Sequence, residues 1–478
     1  MLESLHDLYA ALQNPKSSTP AIVLLWVVIG AAMVFLLWPR GRTLARQIYA
    51  LATLGFHEGL RLKVLWTVLL LSLVPGAIAF FSDADGTHAG RARLILNTCI
   101  TSGELLGAAL IVLLSALSVA REIESRIMHT IGAKPVPRWT ILTGKALGFW
   151  AIDLCFLTIL MIYSAGLVRA VPLRAETHEH SGLEGTGTWE QLDKDVLTTR
   201  IYSSPEVSGG KTAELKFIKP GASNEWIFSA PDADAGTGQR SLRFAISSTL
   251  SVLSHIPDVR LTASVPGQPP FFDRTETVPR GRPFELFLDK DKTPSGPIVV
   301  AVHMAPRDPA SKYPPYSLIV SRSHGVQLGI SADGFAPNLA KSFFMMAIQG
   351  WVLAIITASW SGVLSFAVTV ALGVILVMSG EMSRNVIELL RSDVMRLKES
   401  GLLNESANAL QLETMARLQM MLGLFPDFQA AGGPSAFVDG QYVPALAVAH
   451  AALWMGIIRG LGWALPGFIA FQRREVGK

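Results

Sequence analysis

The sequence predicts a polytopic α-helical membrane protein of about seven transmembrane helices, with a β-sandwich-like domain inserted between two of them. Three observations favour this fold class. Half of the 478 residues are hydrophobic and only 16% are charged, whereas soluble domains carry about 25% charged residues. Several apolar stretches reach the roughly 20 residues that a helix needs to cross a bilayer. One long intervening segment instead alternates apolar and polar residues, as strands do.

Seven apolar stretches are predicted to span the membrane. The first lies in an N-terminal segment, 1–42, and is interpreted as an additional signal anchor. The uncharged stretch 343–379 is too long for one span, so we divide it at Ser359–Gly362 into two helices. The last span lies in 442–478, which ends in a basic tail. The spans cover about 21–38, 64–81, 94–120, 141–168, the two halves of 343–379, and 444–471.

The segment 43–63 is predicted to be an amphipathic helix in the membrane interface. Its apolar residues Leu44, Ile48, Leu51 and Leu54 recur at helical spacing, and charged residues lie between them. An ordinary linker helix is the alternative.

The distribution of Lys and Arg predicts the orientation of the spans, because cytoplasmic loops are enriched in these residues. Segments 39–63 and 121–145 each hold five, and the C-terminal tail is basic as well. Seven spans place all three basic segments on the cytoplasmic side. We therefore expect a plasma (inner) membrane protein with its N-terminus outside and its C-terminus in the cytoplasm.

This topology places two large segments outside the cytoplasm. Residues 169–342 contain short alternating runs, of which Asp258–Val265 is the most regular. Short alternating strands separated by turn residues favour an antiparallel sandwich. Residues 380–441 have a mostly helical pattern and are predicted to form an extracytoplasmic helical loop.

The sequence offers little support for catalysis, cofactor binding or metal binding. Gly210-Lys211-Thr212 resembles the end of a phosphate-binding loop, but Pro205 stands where that motif needs its first glycine. The group His178-Glu179-His180 reads as a solvated linker better than as a metal site. The small net charge of +4 and the basic residues beside apolar spans do not favour nucleic-acid binding. We therefore expect a protein that is not an enzyme and has no cofactor.

Three charged residues lie deep inside predicted spans, ten or more residues from the start of each, namely Glu104, Asp153 and Arg459. Charges in hydrocarbon are costly and usually face a partner or a wet cavity. One interpretation is a polar pathway for a transported substrate or ion. The alternative is an internal ion pair of Arg459 with Asp153 or Glu104 that fixes helix packing. An intramembrane hydrolase using either acid lacks paired catalytic spacing.

The segment from Arg121 to Lys145 is the most informative part of the chain. It is short, charged and interrupted by proline, and apolar spans hold it at both ends. Ile123, Ile127 and Ile131 recur at helical spacing, and Pro135 ends that pattern because proline lacks the amide donor. Such a constrained segment is suited to docking of a soluble partner. A positive-inside loop without a partner is the alternative.

These residues give the chain a resemblance to membrane (permease) subunits of ATP-binding-cassette transporters, of the type-2 exporter class. The loop motif runs from Glu122-x-Glu124-Ser125-Arg126 through Lys134-Pro135-Val136-x-Arg138 to Gly144-Lys145. Thr53–Trp66 is similar to the elbow helix of that family, and the tail FIAFQRREVGK to its C-terminal end. The run Trp360–Val368 is similar to the tight turn of that family, although Ala367 replaces the usual proline.

The resemblance implies a permease that couples to a separate cytoplasmic ATPase through the loop 121–139. The residues expected to dock this ATPase are Glu122, Ile123, Glu124, Arg126, Lys134, Pro135 and Arg138. It further implies a second permease copy or a paralogue as partner within the lipid bilayer. The alternative function is a membrane-anchored interaction protein that displays the β-rich domain to envelope partners.

Overall fold

A computed structural model defines the fold in two units. Unit 1 joins the helical parts of the chain, and unit 2 comprises 175–335 together with 440–442. The residues that the structure describes are 39–82, 88–124, 137–171, 199–203, 205, 215–229, 240–248, 255–279, 284–288, 296–306, 316–321, 325–380, 437–438 and 440–473. The predicted span 21–38, the group His178-Glu179-His180 and most of 380–441 lie outside these residues.

Unit 1 is helical throughout its described parts. Helix α1 corresponds to the predicted amphipathic segment but begins four residues earlier, and the extended residue Leu62 separates it from α2. The helices are α1 Pro39–Arg61, α2 Lys63–Phe81, α3 His88–Glu124, α4 Arg138–Ala170, α5 Phe335–Ser361, α6 Phe366–Gly380 and α7 Ala445–Ala451, followed by a π-helix Ala452–Arg459 and α8 Gly460–Arg473.

Five helical stretches among the described residues are long and apolar enough to cross a membrane. Their surfaces fit that environment, because α2 exposes Trp66, Leu70, Ile78 and Phe81 on the outside of the unit. Soluble monomers rarely expose apolar patches of that extent. The stretches are Lys63–Phe81, Arg91–Ile123, Arg138–Ala170, Phe335–Ser361 and Ala445–Arg473, and they indicate a membrane location.

The predicted division of 343–379 is confirmed, although its position shifts. The turn falls at 362–365 rather than at Ser359–Gly362, and α5 begins at Phe335 rather than at 343. The amides of Val363 and Leu364 donate to the carbonyl of Trp360 at 2.9 and 2.8 Å, which closes the end of α5. Helix α6 is apolar but has only 15 described residues, so the count of seven spans stays a prediction.

Helix α5 is the most buried of the five long apolar helices. In its apolar stretch 78% is buried, against 28% in that of α2. Three indole N–H groups join it to its neighbours. Trp150 of α4 donates to the Ala347 carbonyl at 2.7 Å. Trp351 and Trp360 of α5 donate to the carbonyls of Gly456 and Trp463, each at 3.0 Å. Each bond satisfies an indole N–H donor, because burying that donor in apolar surroundings without a partner would cost free energy.

Unit 2 consists of antiparallel sheets around one hydrophobic core, which confirms the predicted β-rich region. The sheet orders are β1-β11-β4-β8, β2-β10-β5 and β3-β9-β6-β7. All three sheets contribute buried side chains to the same core. The strands are β1 Thr199–Ser203, β2 Leu215–Ile218, β3 Ser223–Phe228, β4 Arg240–Phe244, β5 Ile246–Ser248, β6 His255–Ser264, β7 Phe272–Pro279, β8 Phe284–Phe287, β9 Ile298–Met304, β10 Leu318–Ser321 and β11 Val326–Asp333.

The predicted alternation in Asp258–Val265 corresponds to strand β6. Val259, Leu261 and Ala263 are fully buried in the core. Arg260, on the opposite face, pairs with Asp273 of β7 through two hydrogen bonds of 2.6 and 2.8 Å. The Arg260 guanidinium holds the pKa of Asp273 below its ordinary value, chiefly through these bonds. The alternation of apolar and polar residues therefore identifies the face of β6 that packs against the core.

A second ion pair of unit 2 is buried and lies beside a distant chain segment. The guanidinium of Arg200 on β1 lies 3.1 Å from the carboxylate of Glu285 on β8, and both side chains are buried. The Ser241 hydroxyl also donates to Glu285. The backbone of Arg200 bonds to Gly440 and Tyr442 at 3.0 and 2.9 Å. One residue thus joins the sheet to a segment more than two hundred positions later.

Replacing Arg200 by Met is expected to destabilise unit 2 by about 3–5 kcal/mol, because it leaves the Glu285 carboxylate buried without its cation. Arg260→Met is the matched control, since it removes the same group from an exposed pair and should change stability little. Thermal unfolding of both variants, followed by tryptophan fluorescence, measures the difference. Equal melting temperatures for the two variants would contradict the assigned role of the buried pair.

Candidate functional site: the base of the 121–145 loop

The described residues that flank the predicted docking loop are the end of α3 and the start of α4. Helix α3 ends at Glu124, and α4 begins at Arg138 after its N-cap residue Pro137, whose carbonyl accepts a hydrogen bond from the Thr140 amide at 3.0 Å. Residues 125–136, including Arg126, Lys134 and Pro135, lie outside the described part of the chain. The structure therefore defines the base on which this loop stands.

Helix α1 crosses α4 at close range because glycines line the contact. A Cβ atom added at Gly148 would lie 2.4 Å from the Ala52 carbonyl oxygen and 2.8 Å from the Phe56 nitrogen. A Cβ atom at Gly144 would lie 2.5 Å from the Cβ of Leu51. Only hydrogen at these positions lets the two backbones approach so closely, as at the small-residue interfaces of membrane helices.

This close crossing brings three helices together around the ammonium group of Lys145. The side chain of Lys145 on α4 is 1% exposed. Its Nζ atom lies 2.7 Å from Glu122 Oε1 and 2.7 Å from Ser118 Oγ, both on α3. It also lies 3.2 Å from Glu58 Oε2 on α1. We call Glu58, Ser118, Glu122 and Lys145 the Lys145 cluster.

The geometry of the Lys145 cluster matches the bonding capacity of an ammonium group. Lysine has three N–H donors, and three acceptor groups surround Nζ. The Ser118 hydroxyl in turn donates to the other oxygen of Glu58 at 2.7 Å. Two carboxylates face one cation, and the surplus negative charge is best placed at Glu58, which is 32% exposed. The cluster therefore holds a charged group in an apolar unit without leaving its donors unsatisfied.

The last helix also reaches the base of the loop. Arg138, at the start of α4, donates from Nη1 to the carbonyl of Gln472 at 3.3 Å. Gln472 lies in the last turn of α8, where backbone carbonyls lack helical partners and a cation is favourable. Helices α1, α3, α4 and α8 thus meet at the base of the 121–145 loop.

Of the residues predicted to dock a partner, three have described side chains, and none of the three is fully exposed. Glu122 points inward to Lys145, Ile123 packs against the core of unit 1, and Arg138 bonds to α8. Their part in docking stays a prediction. Their observed contacts fix the ends of the loop.

The predicted intramembrane charges fall in two places. Glu104 and Asp153 line one cavity between α3, α4, α5 and α6. The Arg459 guanidinium carbon lies 5.5 Å from the ring centroid of Trp454, within cation–π range. The cavity thus brings the two predicted acids together.

Sequence reasoning treated Lys145 and Glu58 as charges near span ends and missed the cluster they form. A usable signal was the spacing of glycines, at positions 55 and 59 of α1 and 144 and 148 of α4. Two such pairs predict a close helix crossing. The charged residues next to these glycines, Glu58 and Lys145, then predict an ion pair between the two helices.

Gly148→Ala is expected to destabilise unit 1 by about 1–3 kcal/mol, because the added methyl group overlaps backbone atoms of α1. Gly166→Ala in the same helix is the control, since nothing lies within 4 Å of its added Cβ. Alanine there should be neutral or stabilise by up to about 1 kcal/mol through helix propensity. Thermal unfolding in detergent compares the two variants, and equal effects would argue against the close crossing.

Lys145→Met is expected to cost about 3–5 kcal/mol, because it leaves the carboxylates of Glu58 and Glu122 together without their cation. The double variant Lys145→Met/Glu122→Gln should recover part of this loss, since it also removes the buried negative charge. The exposed Lys63 provides the control variant Lys63→Met, which should melt like the wild type. Failure of the double variant to recover any stability would contradict the ion pair.

Comparison of this chain with protein-family models, with curated proteins and with solved structures finds no match.

Proposed function

We propose that this chain is the permease subunit of an ABC-type transporter, which forms the membrane pathway and couples to a separate cytoplasmic ATPase through the loop 121–139. The proposal rests on the resemblance of the loop motif and on one geometric observation. The helices that flank that loop, α3 and α4, are joined by the pair between Glu122 and Lys145, so a load on the loop acts on both helices at once.

The Lys145 cluster supports coupling because it connects α1, α3 and α4 through a buried ion pair. Breaking a buried ion pair by removing one partner costs about 3–5 kcal/mol. A partner that pulls on the loop is therefore expected to move α3, α4 and the elbow helix α1 together rather than to bend the loop. The contact of Arg138 with Gln472 extends this connection to α8.

In this proposal, the residues near the loop have two different roles. Arg126, Lys134 and Pro135, with Glu124 at the end of α3, contact the ATPase. Glu122, Ile123 and Arg138 hold the base of the loop through their contacts with unit 1. ATP-dependent changes in docking then bias the membrane unit between two states. A second permease copy or a paralogue completes the pathway.

Capture of a partner ATPase tests the proposal. The purified chain, incubated with lysate of its own organism, should retain a nucleotide-hydrolysing protein that mass spectrometry identifies as a cassette ATPase. Lys134→Glu should lower its recovery about tenfold or more, since like charges across an interface cost several kcal/mol. Lys219→Glu, the same change at an exposed residue of unit 2, should leave recovery unchanged.

Two outcomes would contradict the proposal. One is that the wild-type chain captures no such ATPase, and the other is that Lys134→Glu and Lys219→Glu capture it equally well. The alternative function, a membrane anchor that displays unit 2, does not require the loop. Replacing 125–136 by a Gly/Ser segment of equal length should then leave the binding of envelope partners unchanged.

A further inference from the structure

A small cavity with two acidic residues lies in the middle of unit 1. Its walls come from α3, α4, α5 and α6, and most of them are apolar or glycine. Asp153 lies 15 residues from the start of α4 and 17 from its end, which places it more than 20 Å from either end at 1.5 Å per residue. The cavity is lined by Gly103, Glu104, Gly107, Ala108, Asp153, Leu157, Met346, Gln349, Gly350, Leu353 and Val377.

The carboxyl group of Asp153 fits between two glycines of the neighbouring helices. A Cβ atom added at Gly107 of α3 would lie 3.1 Å from Oδ1, and one at Gly350 of α5 would lie 2.2 Å from Oδ2. The residue is 2% exposed. Its Oδ1 atom has no hydrogen-bond partner within the described part of the chain.

An ionised carboxylate in this position requires a compensating positive charge, because isolated charges in apolar surroundings are very costly. No side-chain cation from the described part of the chain lines the cavity to supply it. Lys145 lies eight residues away on the same helix, about 12 Å along its axis, and its three donors face Glu58, Ser118 and Glu122. Arg459 packs on Trp454, and neither residue lines the cavity.

A metal ion fits no better. The described residues contain no group of three or more His, Cys, Asp or Glu side chains that could hold one. The cavity has room for about one water molecule, because its volume is about 20 Å³.

The titratable groups that line the cavity are Asp153 from α4 and Glu104 from α3. Helix α5 contributes the neutral amide of Gln349, and α6 contributes Val377.

We propose that this cavity is a proton-binding site in the middle of the membrane unit, in which Asp153 carries the proton at neutral pH. The carboxylate takes the proton from a hydronium ion, which becomes water, and is then a neutral carboxylic acid that can donate a hydrogen bond within the cavity. Separation of α3 and α5 at Gly107 and Gly350 would admit water, hydrate the carboxylate and release the proton. The inference concerns a different part of unit 1 from the loop and does not depend on the proposed ATPase.

Infrared spectroscopy of the purified full-length protein in ether-lipid bilayers, whose lipids have no ester carbonyl to overlap the band, tests the site directly. At pH 7 the wild type should show the carbonyl-stretch band of a protonated carboxyl group, which is absent from carboxylates. Asp153→Asn should lose this band. Glu225→Gln is the matched control, because it removes one carboxyl group at an exposed position and should retain the band.

Isotope labelling keeps the test decisive if Asp153→Asn does not fold. Wild-type protein labelled with ¹³C at the aspartate side-chain carboxyl should show the same band shifted, and Asp153 is the buried aspartate of the described residues. An unshifted band would assign the proton to a glutamate and overturn the proposal. Absence of the band at pH 7 would also overturn the proposal. Loss of the band on adding sodium, potassium or methylammonium at constant pH would overturn it too, because it would identify a bound cation in place of the proton.

Discussion

The buried ammonium group of Lys145 is the constraint on which the arrangement of the first helices depends. A lysine that is 1% exposed within an apolar unit needs acceptors for all three donors, and no single helix supplies them. Ser118 and Glu122 come from α3 and Glu58 comes from α1. The glycines at 144 and 148 bring α1 close enough for Glu58 to contribute. Packing and electrostatics therefore specify the same crossing.

The same helix α4 carries two buried ionisable groups in opposite situations. Lys145 is surrounded by acceptors for all three of its donors, so the loss of one partner would leave a buried charge uncompensated. Asp153 lies between glycines beside a cavity, with an oxygen atom that no described group bonds. A group of the first kind resists rearrangement, whereas a group of the second kind changes its charge when its surroundings change. This contrast separates the loop end of α4 from its middle.

The sequence predicted the apolar helices, the turn within 343–379 and the alternation of β6, because each depends on a local pattern of apolar residues. Exact bounds were missed where tertiary contacts extend an element, as at the start of α5. The Lys145 cluster depends on residues 58, 118, 122 and 145, which share no local pattern. Glu122 was predicted to face a partner because helical spacing identifies a face without showing what covers it. The acids Glu104 and Asp153 were recognised singly, and their common cavity requires the fold.

The backbone bonds between Arg200 and residues 440–442 determine the order in which unit 2 is completed during synthesis. The ribosome makes residue 442 only after α5 and α6, so most of the sheet exists before its last backbone partners do. Domains usually fold as their own stretch of chain emerges. Here the backbone of β1 can form these bonds only after residues 440–442 have been made. Unit 2 is therefore completed only after the helices between 335 and 380 have been synthesised. A fragment that ends at 335 therefore lacks part of its own domain.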